Sequence, residues 1–128
     1  MKSVLEIYKA ENFSFKDSGF SDGQDRWSSP YLYEKVKESG LVPERVCIRH
    51  LDLSRMPWQS GNVKSLDTFL YHMVRVQDSD YTIPIILGWD GYIMDGWHRL
   101  IKAILEGRKT IEAYRLEGYI EPDEKGKG

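Results

Sequence analysis

A single cysteine in 128 residues removes several classes of protein at once. One thiol cannot close an internal disulfide, so the chain is not built as a disulfide-stapled scaffold. No Cys/His spacing around Cys47 matches a zinc site, and the run Val46-Cys47-Ile48 predicts a strand with a buried, structural thiol. Long hydrophobic runs are missing too: none approaches the roughly 20 residues of a membrane-spanning helix. The opening Met1-Lys2 leads into mixed polar sequence without a signal-peptide pattern. No membrane partner is expected, and a cytoplasmic location is the default expectation. Neither sign of charge dominates, with 18 Lys+Arg against 20 Asp+Glu and a formal net charge of −2. Bulk charge therefore gives no reason to expect nucleic acid as a partner.

Core-forming material is not short. The chain is 41% hydrophobic and holds four tryptophans and eight tyrosines, enough for one folded domain and too much for a disordered chain. Val4 to Tyr8 is compatible with strand or helix. Asp17 to Ser29, rich in Asp, Ser and Gly, predicts a loop. Ser29-Pro30 reads as a helix start with Ser29 as cap, Leu32 and Val36 face inward with Tyr33 a further inward candidate, and Gly40 ends the helix. A strand follows from Val46 and runs out near Leu53. Asn62 to Gln77 carries Leu66, Phe69, Leu70, Met73 and Val74 near helical spacing, with Asn62 or Ser65 as cap.

The second half is more sharply punctuated. Ile83-Pro84-Ile85-Ile86-Leu87 reads as a buried strand with Pro84 at an edge or at its start, Asp90-Gly91 as a hairpin turn and Tyr92-Ile93-Met94 as the returning strand. Asp95-Gly96 breaks that strand. Trp97 to Glu106 is helical, with Leu100, Ile101, Ile104 and Leu105 at the right spacing, and Gly107 ends it before a last strand over Thr110 to Leu116. The tail from Glu117 is polar and is expected to fray.

Chemistry concentrates at Asp95-Gly96-Trp97-His98-Arg99, between a strand end and a helix start. The first helical turn offers backbone N–H groups and the positive end of the macrodipole to an anion. Gly96 removes a Cβ from the approach. Arg99 is suited to a bidentate, charge-assisted contact with phosphate, and His98 to donating a hydrogen bond or moving a proton near neutral pH. Asp95 is a candidate Mg²⁺ ligand or base; the competing reading makes it the helix cap, with His98 and Arg99 ordinary solvated residues. Trp97 suits stacking on a base or anchoring the helix. Trp58 and Gln59 lie in the loop before the long helix. His50 and His72 have no metal-ligand companion at i+3 or i+4 and read as structural or exposed.

From Ile85 to Leu116 the chain resembles the ParB/sulfiredoxin-like superfamily. The shared pattern is strand, turn, a strand ending in Asp-Gly or Gly-Gly, one variable residue, His-Arg or Arg-Arg, an amphipathic helix, a glycine and a strand; here the variable part reads Asp95-Gly96-Trp97-His98-Arg99. Upstream, Val63-Lys64-Ser65-Leu66 resembles the helix start that precedes these strands in sulfiredoxin-like sequences. The resemblance covers about residues 46–116 within the usual boundary scatter. It implies an α+β fold: one compact domain with a small mixed or antiparallel sheet and helices packed on it. Residues 1–45 form an N-terminal extension with a helix near 30–39, and 117–128 a flexible tail.

The resemblance further implies a nucleotide or other phosphate ligand, with ATP and Mg²⁺ as the expected cofactors. Carried over residue by residue, the family's phosphate positions are His98 and Arg99, with Lys64 and Ser65 of the upstream helix start as further candidates; Gly96 and Trp97 join the expected seat on their own chemistry. Trp97 stands where sulfiredoxins place their catalytic cysteine, so sulfinic-acid reduction is excluded. The partition proteins carry Glu-Arg-Arg there and add a helix-turn-helix unit, for which the stretch after Leu116 is too short. The Asp-Gly-x-His-Arg form is closer to kinase-like members, which need an acidic base; His98, Asp95 and Asp52 are then the catalytic candidates. The expected function is phosphoryl transfer or nucleotide hydrolysis. Two alternatives stand beside it: a binding module that works through a protein partner docked on residues 1–45, and a nuclease or DNA-binding protein, which the net acidity disfavours.

Overall fold

The computed structural model describes residues 19–21, 24–54 and 65–126. Val4 to Tyr8, Trp58, Gln59, Asn62 and Lys64 lie outside that set. The described residues form an α+β domain of three helices and two small sheets: β1 (Gly19–Ser21), β2 (Arg26–Ser28), α1 (Ser29–Ser39), β3 (Glu44–Cys47), α2 (Leu66–Asp78), β4 (Ile85–Leu87), β5 (Ile93–Asp95), α3 (Trp97–Leu105) and β6 (Thr110–Arg115). The α+β class expected from the sequence is the class observed. The four-stranded sheet runs β3-β6-β4-β5. Its β4–β5 and β3–β6 pairs are antiparallel and its β4–β6 pair is parallel. The crossover that makes β6 parallel to β4 is β5 followed by α3, so α3 starts at the end of an edge strand.

Why Ile85-Ile86-Leu87 is apolar at every position is clear from the layers. Side chains alternate across a strand. Ile85 and Leu87 join Leu100 and Ala103 of α3, with Val46, Ile93, Ile111 and Ala113, in one core. Ile86 joins Leu32 and Val36 of α1, with Trp27, Met94 and Leu116, in a second core on the other face. A strand covered on both faces has no polar side to show. Ile85, Ile86, Leu87, Leu32 and Leu100 are fully buried, and each contributes about 1.5–3 kcal/mol by leaving water.

Several local expectations are corrected. The stretch over 17–29 is not simply a loop, because Gly19–Ser21 and Arg26–Ser28 pair as a hairpin. The strand containing Val46 starts earlier, at Glu44, and gives way to a 3-10 turn over Ile48–His50 rather than running to Leu53. Strand alternation turns Val46 inward and Cys47 outward, so the thiol is exposed, not buried. Neither Ser28 nor Ser29 caps α1 with its side chain; both hydroxyls go to carboxylates, of Asp123 and Asp95. Gly40, at φ 65°, ends α1 as expected. On α2, Ser65 is the cap, in a capping box with Thr68. The helix buries His72, Val74 and Val76, while Leu66 and Phe69, expected inward, are exposed. On α3, Leu100 and Ala103 are buried, whereas Ile104 and Leu105 face outward.

The C-terminal segment is tied down rather than fraying through Gly126. Trp27 Nε1 donates to the Ile120 carbonyl at 2.8 Å, Tyr31 Oη to the Glu121 carbonyl at 2.7 Å, and the Ser28 hydroxyl to Asp123 at 2.6 Å. The backbones of Arg26 and Glu124 exchange hydrogen bonds in both directions. The segment thus closes over β2 and the start of α1. A chain ending at Glu117 should lose about 2 kcal/mol or more of stability, the net worth of a few such hydrogen bonds at roughly 1 kcal/mol each. Thermal unfolding followed by circular dichroism measures this, and an unchanged midpoint would show that the segment adds nothing.

Candidate functional site

The turn from β5 into α3 depends on Gly96. Its φ is 105°, a left-handed value that L side chains avoid. A Cβ there would meet Ile85 Cγ2 at 2.4 Å and Arg99 Nη2 at 3.0 Å. The space beside this glycine is therefore filled by the protein's own core and its own arginine. Gly96 is the N-cap residue, and no side chain caps α3.

Arg99, expected to face a phosphate, instead closes an internal network. Its Nη2 donates to Asp95 Oδ2 and to Tyr33 Oη, both at 2.6 Å. Its Nη1 donates to the Pro84 carbonyl at 3.0 Å and the Ile83 carbonyl at 3.3 Å. Tyr33 Oη passes its own proton to the Pro84 carbonyl at 2.9 Å. Asp95 Oδ1 accepts from the Ser29 hydroxyl at 2.5 Å. The side chains of Arg99 and Asp95 are each only 13% exposed. An arginine in the first turn of a helix opposes the macrodipole, and Asp95 cancels that opposition at i−4. Burial and the Asp95 charge hold the Tyr33 phenol above its ordinary range, so it stays protonated and able to donate.

His98 points to another partner. Its Nε2 lies 2.9 Å from Nδ1 of His72 on α2, and the two rings are nearly parallel, at 13°. Burial, with Arg75, His72 and Arg99 adding positive charge, pushes the His98 imidazole down to about 3. Burial, followed by the charge of Arg75, pushes His72 down to about 4. At neutral pH both rings are uncharged, and one donates to the other. Arg75, on the same helix as His72, is itself held below its ordinary value by burial, with Tyr71 and Asp95 acting against the shift. Ser79 and Lys102 fasten the two helices nearby: Ser79 Oγ donates to the His98 carbonyl at 3.3 Å, and Lys102 Nζ to the Ser79 carbonyl at 2.8 Å.

The remaining candidates sit elsewhere. Trp97 is partly buried against the first core, which is the anchoring role. The Ser65 hydroxyl accepts the Thr68 N–H of its own capping box; Ser65 precedes His72 by seven residues, about 10 Å along the helix axis. Lys64 lies outside the described residues. Asp52 is exposed in a turn where its Oδ1 accepts from the Ser54 amide at 3.0 Å and the Ser54 hydroxyl at 2.5 Å. Among the described residues, no three His, Cys, Asp or Glu side chains converge as a metal-ligand group. With one Asp95 oxygen on Arg99 and the other on Ser29, these residues do not provide a dedicated Mg²⁺ site.

Sequence reasoning gave no site role to Ser29, read as a helix cap, to Tyr33, read as an inward candidate, to His72, read as structural or exposed, or to Arg75. Ser29 and Tyr33 stand at i and i+4 on the inward face of α1, where a polar residue between Leu32 and Val36 is the available signal. His72 is the polar member of a buried helix face, but only the packing of α2 on α3 pairs it with His98.

Two outcomes follow from this geometry. Arg99→Met leaves a buried carboxylate without its cation and should cost about 3–5 kcal/mol in a urea titration; a loss under about 1 kcal/mol, the surface-pair range, would show that the pair is not buried in solution. The imidazoles are neutral in the fold and bind protons more readily when unfolded, near pH 6.5. Stability they support above pH 6.5 is thus lost as pH falls toward their folded values of about 4 and 3. Between pH 6.5 and about pH 5, before most carboxylates titrate, His72→Gln should flatten the decline, and an equally steep decline would remove the pair from the account.

A comparison of the chain with family models, with curated proteins and with solved structures finds no match to any of them.

Proposed function

We propose that the chain is a nucleotide- or phosphate-binding domain of the ParB/sulfiredoxin-like kind, with an anionic group seated at the first turn of α3. One observation carries the reading. The uncapped start of α3 is flanked by His98, His72 and Arg75, while Asp95, the carboxylate of that turn, is neutralised by Arg99. Helix-terminal N–H groups and a positive local field favour an anion. Arg99 has a supporting role in this reading, holding the turn in shape, and His98 is the side chain nearest the ligand. A neutral imidazole gains a proton more easily beside a phosphate, so binding is coupled to proton uptake. The reaction class that such a seat serves is phosphoryl transfer or nucleotide hydrolysis, where positioning and charge neutralisation are most of catalysis.

A second reading, a binding module without turnover, is favoured by one specific observation. Both acidic candidates for a base are engaged, Asp95 with Ser29 and Arg99, and Asp52 with Ser54. ATP or another nucleotide, with Mg²⁺ carried on its phosphates, fits either reading.

A thermal-melt screen against ATP, CTP and GTP, with and without Mg²⁺, tests the seat. A ligand at about a hundred times its dissociation constant raises stability by about 2.7 kcal/mol. The expected result is such a rise in the wild type and a smaller one in His98→Gln. The variant of choice is not Arg99→Ala, whose folded state is compromised whether or not a ligand binds. No rise with any nucleotide overturns the reading. A rise without product formation selects the binding module.

A further inference from the structure

We infer that α1 positions the ligand site without lining it: the Tyr33 and Ser29 side chains are positioning residues that set the Gly96-Trp97-His98 turn through Arg99 and Asp95. Tyr33 lies 66 residues before Arg99, yet its hydroxyl accepts from the same guanidinium nitrogen that serves Asp95, and donates to the Pro84 carbonyl. Ser29, with no exposed surface, holds the other Asp95 oxygen. Four side chains from α1, β5 and α3 thereby fix both ends of the turn that presents His98. Removing either hydroxyl leaves Arg99 or Asp95 one partner short, and a buried charged group without a partner relaxes toward another. Because Gly96 has no Cβ and no side chain caps α3, the network, together with Ile85 packed against Gly96, is what restrains this turn. The inference rests on the reading of the α3 start as a ligand seat, but its structural half is separately measurable.

It also changes what the N-terminal part of the chain is for. A helix that merely offered a docking surface to a partner would tolerate loss of its inward hydroxyls without any effect at His98. The structure contains the appropriate control on the same helix. Tyr31 also uses its hydroxyl on a backbone carbonyl, that of Glu121, but outside the Arg99 network.

The experiment compares Tyr33→Phe with Tyr31→Phe, and adds Ser29→Ala as a second probe of the network should Tyr33→Phe not fold. The imidazole nitrogens of His72 and His98 are followed by two-bond ¹H–¹⁵N spectra across a pH titration, and Mg·ATP binding is followed by calorimetry. For Tyr33→Phe and Ser29→Ala the His98 nitrogen shifts and apparent pKa should move, and Mg·ATP should bind about ten-fold more weakly, the scale of a lost hydrogen bond to a charged group. Tyr31→Phe should leave the His98 signals in place and the affinity within about two-fold. If both tyrosine variants lower stability alike and neither moves His98 or the affinity, α1 is structural only and the inference is overturned. If the wild type itself binds no Mg·ATP, the ligand reading fails, while the His98 spectra still decide whether α1 positions the turn.

Discussion

The contact between Arg99 and Asp95 is the one on which the rest of this structure depends. It joins the end of β5 to the first turn of α3 across Gly96, and both partners are nearly out of water. A pair in that position is a poor choice on stability alone, since a well-packed apolar replacement is often as stable or more so. Its use here is directional. The guanidinium has hydrogens to spare, and it spreads them over Asp95, Tyr33 and the carbonyls of Ile83 and Pro84. The residues before β4, the end of β5, the start of α3 and the inward face of α1 are thereby held to one group. Among the described residues no buried side-chain nitrogen or oxygen is left without a partner, so the network meets the condition under which buried polarity specifies a fold rather than weakening it.

Neutralising Arg99 has an electrostatic consequence for its neighbour. Adjacent helical residues point about 100° apart. Arg99 turns toward α1 and the approach to β4, whereas His98 turns toward α2 and meets His72. On the first side, positive charge is balanced by Asp95. On the second, burial first and then the charge of Arg75 depress both imidazoles. One helix start therefore carries a closed, charge-balanced side and a side whose bases are held neutral by burial and a nearby cation. An anion reaching the second side would relieve that pressure, which is why the His98 side, and not the Arg99 side, is the candidate seat.

The fold was largely legible where local signals and burial agree. Ile85-Ile86-Leu87, the turn at Asp90-Gly91, Gly40 and the helix from Trp97 are all short-range patterns with a physical cause, and each is found. Legibility failed where a residue's environment is set by distant chain. Cys47 looked apolar in Val46-Cys47-Ile48, but strand alternation and the 3-10 turn after it place the thiol outside. The antiparallel pair of Gly19–Ser21 and Arg26–Ser28 is too short to show a period-2 pattern. The polar tail gave no sign of order because its Ile120 and Glu121 carbonyls and its Asp123 carboxylate accept from Trp27, Tyr31 and Ser28 of β2 and α1, which composition does not reveal.

The site shows the same division more sharply. Asp95 and Arg99 stand at i and i+4, a spacing that favours pairing, yet a guanidinium facing a carboxylate and one facing a phosphate leave the same letters in the sequence. What separates them is Tyr33, whose hydroxyl takes a direction only when α1 covers the face of the sheet that Ile86 occupies. The motif at 95–99 is therefore not self-contained. Gly96 fixes how close the turn may come to Ile85 and the arginine fixes how it is braced, but the brace ends on Tyr33, 66 residues before Arg99. A five-residue string of this kind places the turn; the elements packed around it decide which way each of its side chains faces, and here they engage Asp95 and Arg99 on the α1 side and set His98 against His72 on the α2 side.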